Sequence, residues 1–271
     1  MKIISSINIL RQHIAAQRKK GKTIGFVPTM GYLHKGHVSL IKQSLKENKN
    51  TIVSIFVNPK QFNNKKDLKK YPKSQNSDIK ICKQLGVNYL FIPNYNEIYK
   101  WKTKKYKYPK IVNFMEHQFR KGHFKGVLMV IEKLLNIIPA KKIYLGEKDY
   151  QQLTIIKDFI KINKIKSSVV ACKTVRDRGG LALSSRNKFL KTINKNTAAR
   201  VYKLIKEYKK NYKNKRFEIN NLMKWFEKNK LKFDYIENIN IKKFKREGKV
   251  TKNSRIFIAY YLNNIRLIDN I

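Results

Sequence analysis

Val27-Pro-Thr-Met-Gly-Tyr-Leu-His-Lys-Gly-His37 decides the reading of this chain. The residues before it, Lys22–Val27, form a short apolar run that stops at Pro28 and reads as a strand, and Gly36–Leu45 has the apolar spacing of a helix. A strand therefore empties through a glycine turn into a helix. His34 and His37 stand three residues apart at the helix opening, so they share one face. Free N–H groups and the positive end of the helix dipole make such a place suited to phosphate. Gly31 and Gly36 have the spacing of a P-loop, but His37 stands where that motif needs Lys and Val38 replaces the Ser/Thr magnesium ligand. A Walker-type NTPase is disfavoured.

Working outward, Thr51–Val57, Asn88–Ile92 and Lys142–Leu145 read as further strands, and Val127–Ile138 as a helix. Strands separated by helices imply βαβ units and a parallel sheet covered on both faces. Ligands of such sheets bind beyond the carboxyl ends of the strands. After about Val175 the texture changes. Helical periods over Asn196–Lys213 and Phe217–Lys228 precede strands at Phe233–Ile239 and Ile256–Tyr261, a smaller α+β arrangement. The expectation is an α/β protein with a Rossmann-like parallel-sheet domain over residues 1–174 and a smaller C-terminal α+β domain over 175–271. Met1–Lys20 places Ile4, Ile7, Leu10 and Ile14 at helical spacing and reads as a surface helix, with no continuous apolar stretch of a secretory leader.

Composition bounds the function classes. The 271 residues carry 62 Lys+Arg against 17 Asp+Glu, a formal net charge of +45. That excess raises the alternative of a nucleic-acid-binding protein built on the same fold. However, 51 of the basic residues are Lys and 11 are Arg. They run through Lys102–Lys110, Lys203–Lys215 and Lys242–Lys249 among Ile, Asn and Tyr, and no recognition motif appears. Scattered lysine of this kind fits AT-rich codon usage better than a dedicated grip on nucleic acid, which tends to add Arg forks on one face. With 42% hydrophobic and 11% aromatic residues, wholesale disorder is excluded. Cys82 and Cys172 have neither CxxC nor metal-ligand spacing. No window reaches the roughly 18 apolar residues of a membrane span, so no membrane partner is expected and the reading is a cytoplasmic protein.

Four further motifs carry chemistry. Val53–Phe62 runs into a polar turn with Gln61, whose amide both donates and accepts. Gly122-His-Phe-Lys-Gly126 leads into an apolar helix, with His123 reading as a cap or a packing residue. Lys142–Gln152 ends a strand in a charged turn. There Lys148 suits a phosphate counter-charge, Asp149 could orient it or accept a ribose or metal contact, and Gln152 is a second amide reader. In Val175–Asn187, Gly179-Gly180 suggests a mobile loop, and Ser184, Ser185 and Arg186 supply donors for a departing pyrophosphate. No Gly-x-Ser-x-Gly elbow surrounds these serines, which excludes a hydrolase nucleophile.

In this order the five motifs resemble the pantothenate synthetase (pantoate–β-alanine ligase) family of the HxGH nucleotidyltransferase superfamily. The resemblance runs from about Ile24 to Asn270, including the closing Ile265-Arg-Leu-Ile-Asp-Asn270. It implies ATP-dependent ligation of (R)-pantoate and β-alanine, through a pantoyl-adenylate, to pantothenate, AMP and pyrophosphate. ATP enters as a substrate and Mg2+ is expected with it, its protein ligands unassigned. By resemblance, Met30, Gly31, Tyr32, Leu33, His34, Lys35, Gly36 and His37 line the ATP site, and His37 is the proton donor. Gly146, Glu147, Lys148, Asp149, Val175, Leu183, Ser184, Ser185 and Arg186 complete that site, with the smaller domain closing over it. His37, His34 and Lys148 are the catalytic candidates. Gln61 and Gln152 hold pantoate, and Gln61 also meets β-alanine. A homodimer is implied. The chain departs from the family pattern at Lys121, at Gly179-Gly180 and at Asn76 and Ser77.

Overall fold

The computed structural model describes residues 1–102, 104, 106–214 and 218–271. Two compact units emerge, Met1–Asn113 with Arg120–Lys173, and Phe114–Phe119 with Thr174–Ile271. In chain order the first contains β1 (Lys2–Ile4), α1 (Ile7–Lys19), β2 (Ile24–Thr29), α2 (Lys35–Glu47), β3 (Asn50–Ile55), α3 (Lys65–Lys70), α4 (Gln75–Gln84), β4 (Tyr89–Phe91) and α5 (Tyr95–Lys100). The short α6 (Glu116–Phe119) belongs to the second unit. The first resumes with α7 (His123–Ile137), β5 (Lys142–Gly146), α8 (Tyr150–Ile162) and β6 (Ser168–Cys172).

Its six strands are all parallel, in the order β1-β4-β3-β2-β5-β6. Alternation along the strands builds two cores. Phe26, Ile52, Phe91 and Ile143 join one with α1, α7 and α8 residues such as Leu10, Leu128 and Phe159. Their neighbours Val27, Val53, Leu90 and Tyr144 join the other with Leu40 and Ile41 of α2 and Cys82 of α4. This three-layer arrangement is why the strands read as continuous apolar runs. The order reverses between β2 and β5: β3 and β4 follow on one side, β6 on the other. The segments leaving β2 and β5 therefore flank a topological switch point, the usual ligand crevice of such sheets.

The second unit carries α9 (Thr192–Lys210), α10 (Ile219–Lys228), β7 (Phe233–Asn240), β8 (Lys245–Arg246), β9 (Ser254–Leu262) and β10 (Ile265–Asn270). The strands form an antiparallel sheet, β10-β9-β7-β8. Val201 and Ile205 of α9 and Leu222 and Phe226 of α10 share its core with Ile236, Ile256 and Ile258. Within this unit Arg266 forks onto Glu116 at 2.7 and 3.0 Å, which ties α6 to the C-terminal hairpin.

The expected α/β architecture is present. At the N-terminus, however, Ile4 lies in an edge strand paired with β4, and the helix starts at Ile7. Ile4 and Ile7 are both buried, so a three-residue strand followed by a helix reproduces the apolar spacing of one continuous helix. Strand β6 is not legible in the sequence because its residues are exposed or half-buried. The helix read from Phe217 starts at Ile219; Phe217 itself, with Lys105 and Lys215 of the lysine runs, lies outside the described residues.

Candidate active site

The chain leaves β2 at Thr29, whose Oγ1 donates to the Ser54 carbonyl (2.7 Å) and accepts from the Gly31 N–H (3.2 Å). Gly31 (φ +81°) and Tyr32 (φ +51°) are both left-handed. A Cβ on Gly31 would sit 3.0 Å from both Asp78 Oδ2 and the Ile55 side chain, a tight fit, and the positive φ is what calls for glycine. Asp78, buried on α4, accepts the N–H of Tyr32 at 2.8 Å and of Leu33 at 2.7 Å, one on each carboxylate oxygen. Burial pushes its pKa up, and the two N–H groups pull against that rise. Sequence reasoning gives Asp78 no role. The signal that could have found it is an acid sharing a helix face with Cys82 one turn on, which is fully buried.

The pinned turn delivers His34 to the N-cap of α2. His34 Nδ1 accepts the Gly36 N–H (3.1 Å), and His37 Nδ1 accepts the His34 N–H (3.4 Å). Together they form a capping box made of two imidazoles, their rings 4.1 Å apart. Because both Nδ1 atoms act as acceptors, each neutral ring keeps its proton on Nε2. Burial, followed by the Lys148 charge, lowers the His34 pKa to about 4 against an opposing pull from Asp149. Burial, then His34 and then Lys148, lowers His37 to about 3. At neutral pH the pair presents two N–H donors and no charge.

Lys148 lies in the short turn Glu147–Asp149 between β5 and α8, with its Nζ 3.8 Å from Asp149 Oδ1. The turn follows β5, the parallel neighbour of β2, so it lies at the same end of the sheet as the His34 turn, at the switch point, and its charge lowers the pKa of both imidazoles. Gln61 ends the Pro59–Gln61 turn that follows β3. Its Nε2 donates to Met30 Sδ (3.1 Å) and its Oε1 accepts from Asn58 Nδ2 (3.0 Å), which joins Gln61 to the β2 turn. Lys35 is exposed at the start of α2, Gly146 ends β5 and Gln152 stands half-buried in the first turn of α8. The described residues include no group of three or more His, Cys, Asp or Glu that could hold a metal ion.

The remaining candidates lie in the second unit. The Val175 carbonyl accepts the Leu183 N–H (2.9 Å), and Ser184 caps a turn over Ser185–Phe189 by accepting the Arg186 N–H (3.2 Å). Gly179-Gly180, read in the sequence as a source of flexibility, also has a packing role. Gly180 (φ +97°) lies where a Cβ would meet the Tyr202 ring at 2.0 Å, and Gly179 packs against Ala199. Arg176 stacks 4.1 Å from the Tyr202 ring centroid and forks onto Asp269 at 2.6 and 2.8 Å. The glycines thus serve close packing, and Asp269 of the closing motif anchors the segment.

A doubly covered parallel sheet, with a histidine-capped helix and a lysine turn at its switch point, defines a nucleotide-binding α/β protein of the HxGH nucleotidyltransferase type. The model of the pantoate–β-alanine ligase family matches residues 2–271. The chain belongs to that family. It is 43% identical to the pantothenate synthetase of Flavobacterium psychrophilum, over 92% of each chain, and 38% identical to that of Sulfurihydrogenibium, over 100% of this chain and 99% of the other. Among solved structures, the Thermus thermophilus pantothenate synthetase superposes with a TM-score of 0.89 at 29% identity, covering 100% and 99% of the two chains. The Francisella tularensis pantoate–β-alanine ligase, complexed with beta-gamma ATP and β-alanine, gives 0.85 at 38%, covering 100% and 97%. The chain is an ATP-dependent pantoate–β-alanine ligase of pantothenate biosynthesis. Neither the family nor these relatives favour the nucleic-acid alternative raised by the +45 charge. No helix among the described residues is long and apolar enough to cross a membrane.

Proposed function

We propose that the switch-point crevice binds ATP and activates pantoate as an acyl-adenylate. The observation that carries this reading is the reciprocal His34/His37 cap at the N-terminus of α2, its rings 4.1 Å apart, with Lys148 in the turn that leaves the neighbouring strand β5. An amine cannot displace oxide from a carboxylate, so the oxygen must first become part of a leaving group. A pantoate carboxylate oxygen attacks the α-phosphorus, and the bond from that phosphorus to the β-phosphate bridging oxygen breaks. Pyrophosphate departs. The amine of β-alanine then attacks the acyl carbon, the C–O bond to AMP breaks, and the nitrogen loses its extra proton to solvent.

Negative charge grows on the departing pyrophosphate. The Nε2–H groups of His34 and His37, with the Lys148 ammonium, suit that charge in a partly dry site and need no reorganisation at the moment of reaction. His37, neutral in the free protein, is the family's proton donor by resemblance; the negative phosphates of bound ATP would raise its proton affinity. Met30–His37, Gly146–Asp149, Val175 and Leu183–Arg186 make up the ATP contacts, Gln61 and Gln152 hold pantoate, and Gln61 meets β-alanine. Magnesium enters on the ATP phosphates, consistent with the sparse protein ligation of that ion in nucleotide sites. A homodimer follows from the family resemblance, and use of ATP supports a cytoplasmic place of action. Protein mixed with ATP, magnesium and pantoate without β-alanine should release about one pyrophosphate per site. Release that needs β-alanine from the outset would reject the stepwise order.

A further inference from the structure

The Gly122-His-Phe-Lys-Gly126 motif has no part in the chemistry above, yet it is built against Gln61. His123 opens α7 and is buried, with Nδ1 2.8 Å from the backbone carbonyl oxygen of Gln61 and Nε2 3.2 Å from Arg120 Nη1. A carbonyl oxygen only accepts and a guanidinium only donates, so the partners fix one tautomer. Nδ1–H donates to Gln61, and the Nε2 lone pair receives Arg120.

Three residues on, Gly126 removes the last atom of separation between α7 and the Gln61 turn. A Cβ there would lie 2.0 Å from the Lys60 carbonyl oxygen and 2.7 Å from the Gln61 nitrogen, both backbone atoms that cannot swing aside. The Gly126 carbonyl also accepts Asn58 Nδ2 (3.0 Å), the amide group that binds Gln61 Oε1.

We infer that His123, oriented by Arg120, is a positioning residue for Gln61. It holds the Gln61 peptide on the first turn of α7 and thereby aims the amide at the acid substrates. The inference rests on the reading that Gln61 binds pantoate and β-alanine. Its effect is selective: the peptide sets where the Gln61 side chain starts, whereas the backbone of the ATP turn at Gly31–Leu33 is held by Thr29 and Asp78, with Gln61 reaching that turn only at the Met30 sulfur.

The test measures KM for all three substrates in His123→Leu, Gln61→Ala and the double variant, with circular dichroism as the fold control. His123→Leu should raise KM for pantoate and β-alanine about tenfold or more and leave KM for ATP within about twofold. Added to Gln61→Ala, it should change little, since both then act on one contact. Asn puts an amide N–H near the Nδ1 place and Gln near Nε2, so His123→Asn should restore the values while His123→Gln should not. These two also decide the matter if His123→Leu does not fold. Unchanged pantoate and β-alanine KM in His123→Leu, equal KM rises for all three substrates, or identical Asn and Gln variants would overturn the inference. Wild-type KM values in Gln61→Ala would instead reject the underlying reading of Gln61.

Discussion

Replacing Asp78 with Asn changes one oxygen to an NH2 group and separates the hold on the ATP turn from the fold. The carboxylate accepts two backbone N–H groups, at 2.8 and 2.7 Å. The amide can accept one; its NH2 then faces the other donor. A hydrogen bond to a charged acceptor contributes about 1.5–3 kcal/mol, and losing it strands a buried N–H. Were this whole loss expressed at the Tyr32–Leu33 turn, it would correspond to about 10- to 150-fold, since about 1.4 kcal/mol is tenfold. Global stability should change much less, because the neutral amide also removes the desolvation that pushes the Asp78 pKa up. Asp78→Asn should therefore lower kcat/KM for ATP in pantoate-dependent pyrophosphate release by about one to two decades. The urea midpoint should stay near wild type. Wild-type kcat/KM in a folded Asp78→Asn protein would refute the claim that this carboxylate shapes the site.

Other expectations follow from the same geometry. His37→Ala and Lys148→Ala should each lower pyrophosphate release at least about tenfold, in line with loss of a preorganised donor, with unchanged circular dichroism; full activity in either variant removes that residue from the mechanism. His34 and His37 have folded pKa values of about 4 and 3, below the unfolded value near 6.5. The unfolded chain thus takes up protons that the native state refuses. Their neutral state costs nothing above pH 6.5, and stability falls as pH drops from 6.5 toward 4, by up to about 1.4 kcal/mol per pH unit for each histidine. Urea unfolding of His37→Asn at about pH 7, 6 and 5 should show a shallower fall than wild type, and parallel curves would contradict the shift. Asp269→Leu leaves the Arg176 guanidinium without its fork, and breaking such a pair costs about 3–5 kcal/mol. A variant that melts with wild type would show that the pair is not an anchor.

Much of the architecture is readable because parallel strands buried on two faces must be apolar throughout. Ile52–Val53 and Ile143–Tyr144 announce this by residue type alone. Edges are not readable: β6 alternates too weakly, and β1 is too short to break the helical spacing that follows it. The His34/His37 pair is legible from its place between a strand and a helix. Its neutral state is not, because burial and the approach of Lys148 arise only when β2 and β5 become neighbours. Asp78 and His123 are illegible for the same reason. Each acts on a backbone group 45 or more residues away, through a carbonyl or N–H that almost every residue possesses. Gly180 looks like a source of flexibility and is a contact surface for Tyr202, a distinction that glycine's one-letter identity does not carry.

The central claim is that a pantoate oxygen, and no group of the protein, attacks the α-phosphorus of ATP. Pantoate carrying heavy oxygen in its carboxylate, turned over with ATP and β-alanine, tests it directly by mass spectrometry of the AMP. One labelled oxygen should appear in each AMP, with the pyrophosphate unlabelled. Unlabelled AMP, or label in the pyrophosphate, would contradict activation through a pantoyl-adenylate.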